Sequence, residues 1–426
     1  MKRFLRHIFI SIFAVTLSFT IYKITDKYDL QVKYTDVNWS IKTKGIDEAR
    51  SFDITEDDEV YIAYKDEISV IKGDNKEYII EVEGFDIYDL IAKEDELLIA
   101  TDNRVVSYRL EDNTYEVLID NLPNKGLNKA TKLLLDGSKL YITVGSNTNS
   151  GVVENKDDPV DKPSFHWTLS GETYGDAKTG GFSKYGTSIL KGEKIKEENI
   201  SNGIILEYLL EEKKVSVFAT GIGAIEGIDI NEEGKIIAIF KGMNNSGVRP
   251  IYNDSDYIYE VKKDGWYGWP DYSGGDAVSS PRFAKPGVEL KEIIENPPTK
   301  SLYGPIYQHN SVESIKGLAI AKEDGVLKNN MIIFADNNKK QINILTENNI
   351  CNKLAELSHD SSIEKILYRE DRIYMLDSGT NCIYELRGND ENRIFYMDDL
   401  IKIFTIIFLL VIVICIVYKI NNKAKW

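Results

Sequence analysis

Acids and amides crowd one stretch of this chain. Asn244, Asn245, Asn253, Asp254 and Asp256 lie close together, with Asp271 and Asp276 not far beyond. Calcium takes six to eight oxygen ligands, and such loops can supply several. The spacing fits no EF-hand, and Asn and Asp also favour ordinary turns, so both readings stand. Of this group, Asp256 is the candidate metal ligand. An aromatic group follows at Trp266, Tyr267, Trp269 and Tyr272 in a Gly-rich loop. Aromatic faces bind sugar rings by apolar contact, and they also fill cores.

The commoner catalytic signatures are missing. There is no GxSxG, P-loop or HExxH. Only four His occur, none in a metal-spaced pair, and His166 beside Trp167 has no acid next to it in sequence. Of three Cys, Cys415 lies in an apolar run, while Cys351 and Cys382 could pair in an oxidising compartment. No CxxC suggests zinc. The net charge of −16 with no basic stripe excludes nucleic acid as a partner class.

Any such chemistry must be held by the elements around it. The chain ends with Leu400 to Tyr418, almost wholly apolar, and a bilayer core needs roughly 20 such residues as a helix. Lys402 sits near one end, where it can snorkel. Lys419, Lys423 and Lys425 follow without an acid, which predicts a cytoplasmic C-terminus. Lys2, Arg3 and Arg6 precede a second apolar run, Ile8 to Tyr22, that reads as a signal peptide or an uncleaved anchor. The expected division is an anchor or signal over 1–25, an extracytoplasmic domain over 26–397, and a transmembrane helix with a basic tail over 398–426.

The external region reads as all-β. Short apolar runs end in Gly, Asn or Asp, and one pattern recurs. An inner run leads through a short turn into a run such as LYIT. The copies begin at Phe52, Tyr88, Lys132, Glu226, Lys316 and Glu364. Six copies predict a six-bladed β-propeller flanked by the two membrane segments. The third and fourth intervals are wide, so inserted loops or a missed blade are expected there. Asn147 to Gly186 shows no strand period and reads as an insertion. Asp29 to Ile41 is a candidate closing strand for the last blade. A β-sandwich pair is the rival architecture, but it leaves the repeat unexplained.

Several segments resemble the glucose/sorbosone dehydrogenase family. They are Lys139 to Gly145, the glycines Gly221 and Gly227 around an apolar strand, Gly265 to Pro270 (GWYGWP), Asp371 to Asp377, and Ile383 to Leu386. The similarity runs from about Phe52 to Leu386, and YGWP is its most specific piece. The resemblance implies a six-bladed propeller of the kind that oxidises sugars with pyrroloquinoline quinone (PQQ) and calcium. That chemistry uses a His as general base, Arg and Lys against the cofactor carboxylates, and calcium on the quinone oxygens.

At each point this chain departs from the family. Asn128 stands where the family has its base. Gly223, Ala224 and Glu226 replace an Arg, an Asn and a Gln, and the family's late Arg-x-Arg falls at Ser362 to Glu364. Asn338 or Lys339 stands near the family's cofactor Lys. The calcium carbonyls would come from Gly242 and Met243. The resemblance thus implies a retained scaffold with its PQQ machinery lost, with calcium still a candidate and PQQ disfavoured. The leading expectation is a saccharide or cell-envelope ligand bound at the channel mouth by Asn128, Glu226, Asn338 and Lys339. The alternatives are a PQQ-dependent sugar dehydrogenase and a structural or partner-docking module.

Overall fold

A computed structural model describes residues 28–388, apart from 74, 82, 83, 284, 286 and 288. Both expected membrane segments and Cys415 lie outside the described residues. Among the described residues, no helix is long and apolar enough to cross a membrane. The chain divides into two compact units, Met1–Arg387 and Gly388–Trp426, and the first holds the propeller.

Six sheets are built from the six sequence repeats. Each repeat supplies the first two strands of a blade, and the first of these faces the central channel. The inner strands are Ser51–Ile54, Ile87–Lys93, Leu133–Asp136, Ile225–Ile230, Ile315–Ile320 and Ile363–Arg369. No blade was missed by the repeats. The second strands are the most apolar part of the fold. Leu97, Leu98, Ile99 and Ala100 are all fully buried, as are Ile373, Met375 and Leu376. A strand covered on both faces by neighbouring blades reads as a continuous apolar run, and each such side chain contributes about 1.5–3 kcal/mol on burial. The outermost strand of the second blade, Thr114–Ile119, is largely exposed, Tyr115 and Val117 included.

The two wide intervals are insertions. In the third blade, residues 145–203 separate Lys139–Val144 from its partner Ile204–Leu209. This stretch is less irregular than its sequence suggests. It holds short paired strands, Trp167–Thr168 with Lys194–Ile195 and Thr173–Tyr174 with Thr179–Gly180. In the fourth blade, residues 262–306 leave Tyr257–Val261 before returning as Tyr307–Gln308. On the way, Gly265–Trp266 adds a parallel fifth strand to the third blade. The two insertions share an apolar core that includes Val152, Trp167, Leu169, Trp266, Tyr272 and Ile293.

The ring closes through its first strands. Val37–Lys44 is the outermost strand of the sixth blade, beside Cys382–Gly388. This confirms a closing strand near the start of the chain, placed a few residues later than Asp29 to Ile41. Leu30–Val32 joins the fifth blade instead, against Cys351–Leu357. Cys351 is exposed on that blade and Cys382 is buried in the next, both free thiols, so the pairing open in the sequence does not occur.

Candidate functional site

Four inner strands carry a β-bulge near their first residues. The register slips between Ile87 and Asp89, Ile225 and Gly227, Lys316 and Leu318, and Ile363 and Lys365. A bulge inserts one extra residue and re-aims its side chain. Gly317 takes a left-handed φ of 61° at its bulge, where a Cβ is disfavoured. At Gly227 an added Cβ would stand 2.6 Å from the Leu318 nitrogen, so the fourth and fifth inner strands meet there without room for a side chain.

These strand heads place a ring of charge around a cavity of about 220 Å³. Going round the channel, the ring reads Asp89, Lys132, Glu226, Lys316, Glu364 and Lys365, with Ser51 closing it. Three lysines and three carboxylates make it neutral overall. The rest of the cavity lining mixes apolar side chains, among them Ile91, Leu134, Ile228, Leu318 and Ile366, with two further charge pairs, Lys322 with Asp229 and Arg369 with Asp53.

Two pairs in the ring are tight. Lys365 Nζ donates to Asp89 Oδ1 at 2.7 Å, to the Leu90 carbonyl at 3.0 Å and to Ser51 Oγ at 3.1 Å. It thereby ties the sixth blade to the first and second. Asp89 also accepts the Leu133 amide at 2.9 Å, which links the second blade to the third. Lys316 donates to Glu364, whose other oxygen accepts the Ser378 hydroxyl at 3.0 Å. Burial opposes the charge on Glu364, but Lys316 outweighs it and keeps the carboxyl below its ordinary value. Burial likewise opposes the charge on Lys316, and Glu364 and Glu226 more than restore it. Lys132 goes the other way. Burial pushes its amine below the usual lysine range despite Asp89, Glu226 and Glu364 nearby.

The residues expected from the sequence divide into groups. Glu226 lines the cavity. Asn128 donates to Ser146 Oγ at 2.9 Å and accepts from Lys241 Nζ at 3.4 Å. Lys241 pairs with Glu313 at 2.7 Å, so Asn128 belongs to a polar cluster of the loops above the strands. Asn338 is exposed, and Lys339 pairs with Asp336 of the fifth blade at 3.3 Å. Neither lines the cavity.

The calcium candidates stand beside one another, and their carboxylates are used internally. The Asp256 oxygens accept four amides, from Gly242, Glu313, Ser314 and Ile315. Asp254 accepts the Met243 and Ser255 amides and the Tyr257 and Ser273 hydroxyls. Asp271 is held by Arg249, and Asp276 by Arg282 at 2.9 Å. Among the described residues, no group of three or more His, Cys, Asp or Glu converges to hold a metal. The oxygen-rich stretch thus uses its carboxylates to fix loops. Trp266, Tyr267, Trp269 and Tyr272 are all buried, so this aromatic group packs the core.

No described His reaches the cavity. His166 is exposed beside Glu197, His359 is exposed, and His309 is buried 3.4 Å from Asp336. The ring residues other than Glu226 were not recognised as a site in the sequence. The signal was there: four of the six repeat copies open with a charge, at Lys132, Glu226, Lys316 and Glu364.

The architecture has solved counterparts. No sequence family matches the chain, and neither does any curated protein. Among solved structures, the PQQ domain of pyranose dehydrogenase from Coprinopsis cinerea superposes with a TM-score of 0.60 at 10% identity, over 84% of this chain and 97% of that one. The apo form of the soluble aldose sugar dehydrogenase from Escherichia coli gives 0.57 at 13% identity, over 83% and 100%. The PQQ-bound aldose sugar dehydrogenase from Streptomyces coelicolor gives 0.54 at 11%, over 84% and 99%. The chain therefore has the six-bladed propeller fold of PQQ-dependent sugar dehydrogenases, as the resemblance implied.

The cavity residues do not fit PQQ. A tricarboxylate needs several free cations, yet Lys316 and Lys365 are each taken by an acid, which leaves Lys132 as the one lysine of the ring without a direct partner among the described residues. Glu226 and Glu364 stand where the resemblance places cofactor-binding groups, and each would repel a carboxylate.

Proposed function

We propose that this chain is a binding propeller, which takes a saccharide or cell-envelope component in its channel cavity and does not oxidise it. The observation that carries this reading is the neutral ring of alternating Lys and carboxylate beside apolar side chains of the same cavity. Sugar hydroxyls both donate and accept, so they can bridge neighbouring cations and anions, while the C–H face of the ring lies on Leu318 and Ile228. Concave sites with a few convergent polar groups are the default ligand locations. Lys and Arg placement at both ends of the sequence supports display on the outer face of a membrane.

The test pairs two measurements on the purified full chain. Calorimetry with glucose should show binding. Dye reduction with glucose, after incubation with PQQ and calcium, should stay at background, since loss of a general base alone lowers rates roughly 10²–10⁴-fold. Robust dye reduction would overturn the reading in favour of a dehydrogenase. Absence of both binding and turnover would favour a purely structural or partner-docking role.

A further inference from the structure

Two charges of the channel ring lack a direct partner. Lys316 is held by Glu364, and Lys365 by Asp89. Lys132 and Glu226 remain, on adjacent inner strands, both half-buried. Neither side chain makes an ion pair or a hydrogen bond with another described residue, although the charges of Asp89 and then Glu226 act on Lys132. Charged groups withdrawn from bulk water are usually paired. Here an ammonium and a carboxylate face the same space and do not touch.

A simple counter-ion does not resolve this arrangement. An anion placed on Lys132 meets Glu226, Glu364 and Asp89, and a cation placed on Glu226 meets Lys132 and Lys316. One molecule that carries both charges satisfies both residues and leaves the ring neutral. The cavity, at about 220 Å³, is smaller than the roughly 300–1,000 Å³ typical of drug-sized ligands. It has room for a single sugar unit.

Resting on the saccharide reading above, we infer that the ligand is a zwitterionic monosaccharide, its carboxylate on Lys132 and its ammonium on Glu226. Its hydroxyls face the Lys316–Glu364 pair, and its C–H face lies on the apolar side chains of the cavity. The lowered proton affinity of Lys132 agrees with this, because an incoming carboxylate returns the stabilisation that burial removes.

Four probes that share a glucose ring separate the charges. Glucose is neutral, glucosamine carries the ammonium, glucuronate carries the carboxylate, and muramic acid carries both. With the full chain, calorimetry should rank muramic acid at least about tenfold tighter than glucose, the margin one charge-assisted contact can supply. Lys132→Gln should reduce muramic acid to the level of glucosamine, and Glu226→Gln to the level of glucuronate. Melting followed by circular dichroism checks that both variants fold. If glucose binds and muramic acid is no tighter, the zwitterion is overturned and the saccharide site stands. If muramic acid binds tightly but both variants keep the preference, the assignment to Lys132 and Glu226 is overturned. If none of the four sugars binds, the saccharide reading itself falls.

Discussion

Two groups of withdrawn charge in this molecule are handled in opposite ways. In the loops of the third and fourth blades, Arg249 and Asp271 have side chains 0% and 2% exposed and sit 2.7 Å apart. Arg249 also donates to the carbonyls of Ser150, Pro270 and Lys291, and Asp271 accepts the Ile293 and Ile294 amides. Four segments distant in sequence, around Ser150, Arg249, Asp271 and Ile293, are joined at that point. In the channel, Lys132 and Glu226 sit beside open space with no direct partner. Charge paired and bonded to backbone groups holds loops together. Charge left facing a cavity is available to something else.

The sharpest way to break this comparison is at the Arg249–Asp271 pair. Arg249→Met should destabilise the fold by about 3–5 kcal/mol, because it leaves Asp271 buried and uncompensated. Urea unfolding measures it, and a loss below about 1 kcal/mol would mean the pair is no more structural than a surface one.

Asp161 tests the same loops by pH. It is buried, and it accepts the Asn147 and Thr148 amides and the Thr148 hydroxyl. Burial pushes its carboxyl up to about 7 despite those bonds. A folded pKa above the unfolded one means the folded state holds the proton more tightly. This contribution to stability is complete below the unfolded value of 3.8 and is lost as pH rises through about 7. Asp161→Asn should flatten the fall in stability between pH 5 and pH 8. The change should reach up to a few kcal/mol, since each tenfold gain in proton affinity is worth about 1.4 kcal/mol. Denaturation curves at both pH values, identical in slope for the two proteins, would remove Asp161 from this role.

The smallest effect belongs to the channel. Glu226→Gln should change stability by less than about 0.5 kcal/mol, since no direct partner is lost, while weakening saccharide binding. A large fall in melting temperature would place Glu226 with Arg249 and Asp271 and dissolve the contrast.

How legible all this is in the sequence depends on what covers each strand. Inner and second strands are clamped between blades, so their apolar runs repeat and could be counted. Outer strands such as Thr114–Ile119 are wet on both faces over most of their length, and Gly265–Trp266 is two residues long, so neither leaves a pattern. The ring was harder. Asp89, Lys132, Lys316 and Lys365 come from four blades, and only closure of the propeller brings them together. A charge at the head of a repeat reads as a solvated turn until that closure is known. Glu226 stood out because the resemblance supplied a residue to compare it with. Asn338 and Lys339 lie in a loop that resembles the family only loosely, and they stand outside the cavity.

The strand at Val37–Lys44 has a consequence in time. It is among the first parts of the domain to be synthesised, and its neighbour Cys382–Gly388 is among the last. At about 5–20 residues per second, the ribosome needs tens of seconds to make the intervening blades. Through that interval an early strand that ends up on an outer blade edge has no mate, and unpaired edges invite pairing with other chains. The last blade can form only when both ends of the domain exist. Completion of the ring therefore rests on one long-range pairing, Val37–Lys44 with Cys382–Gly388, that only the whole domain can make.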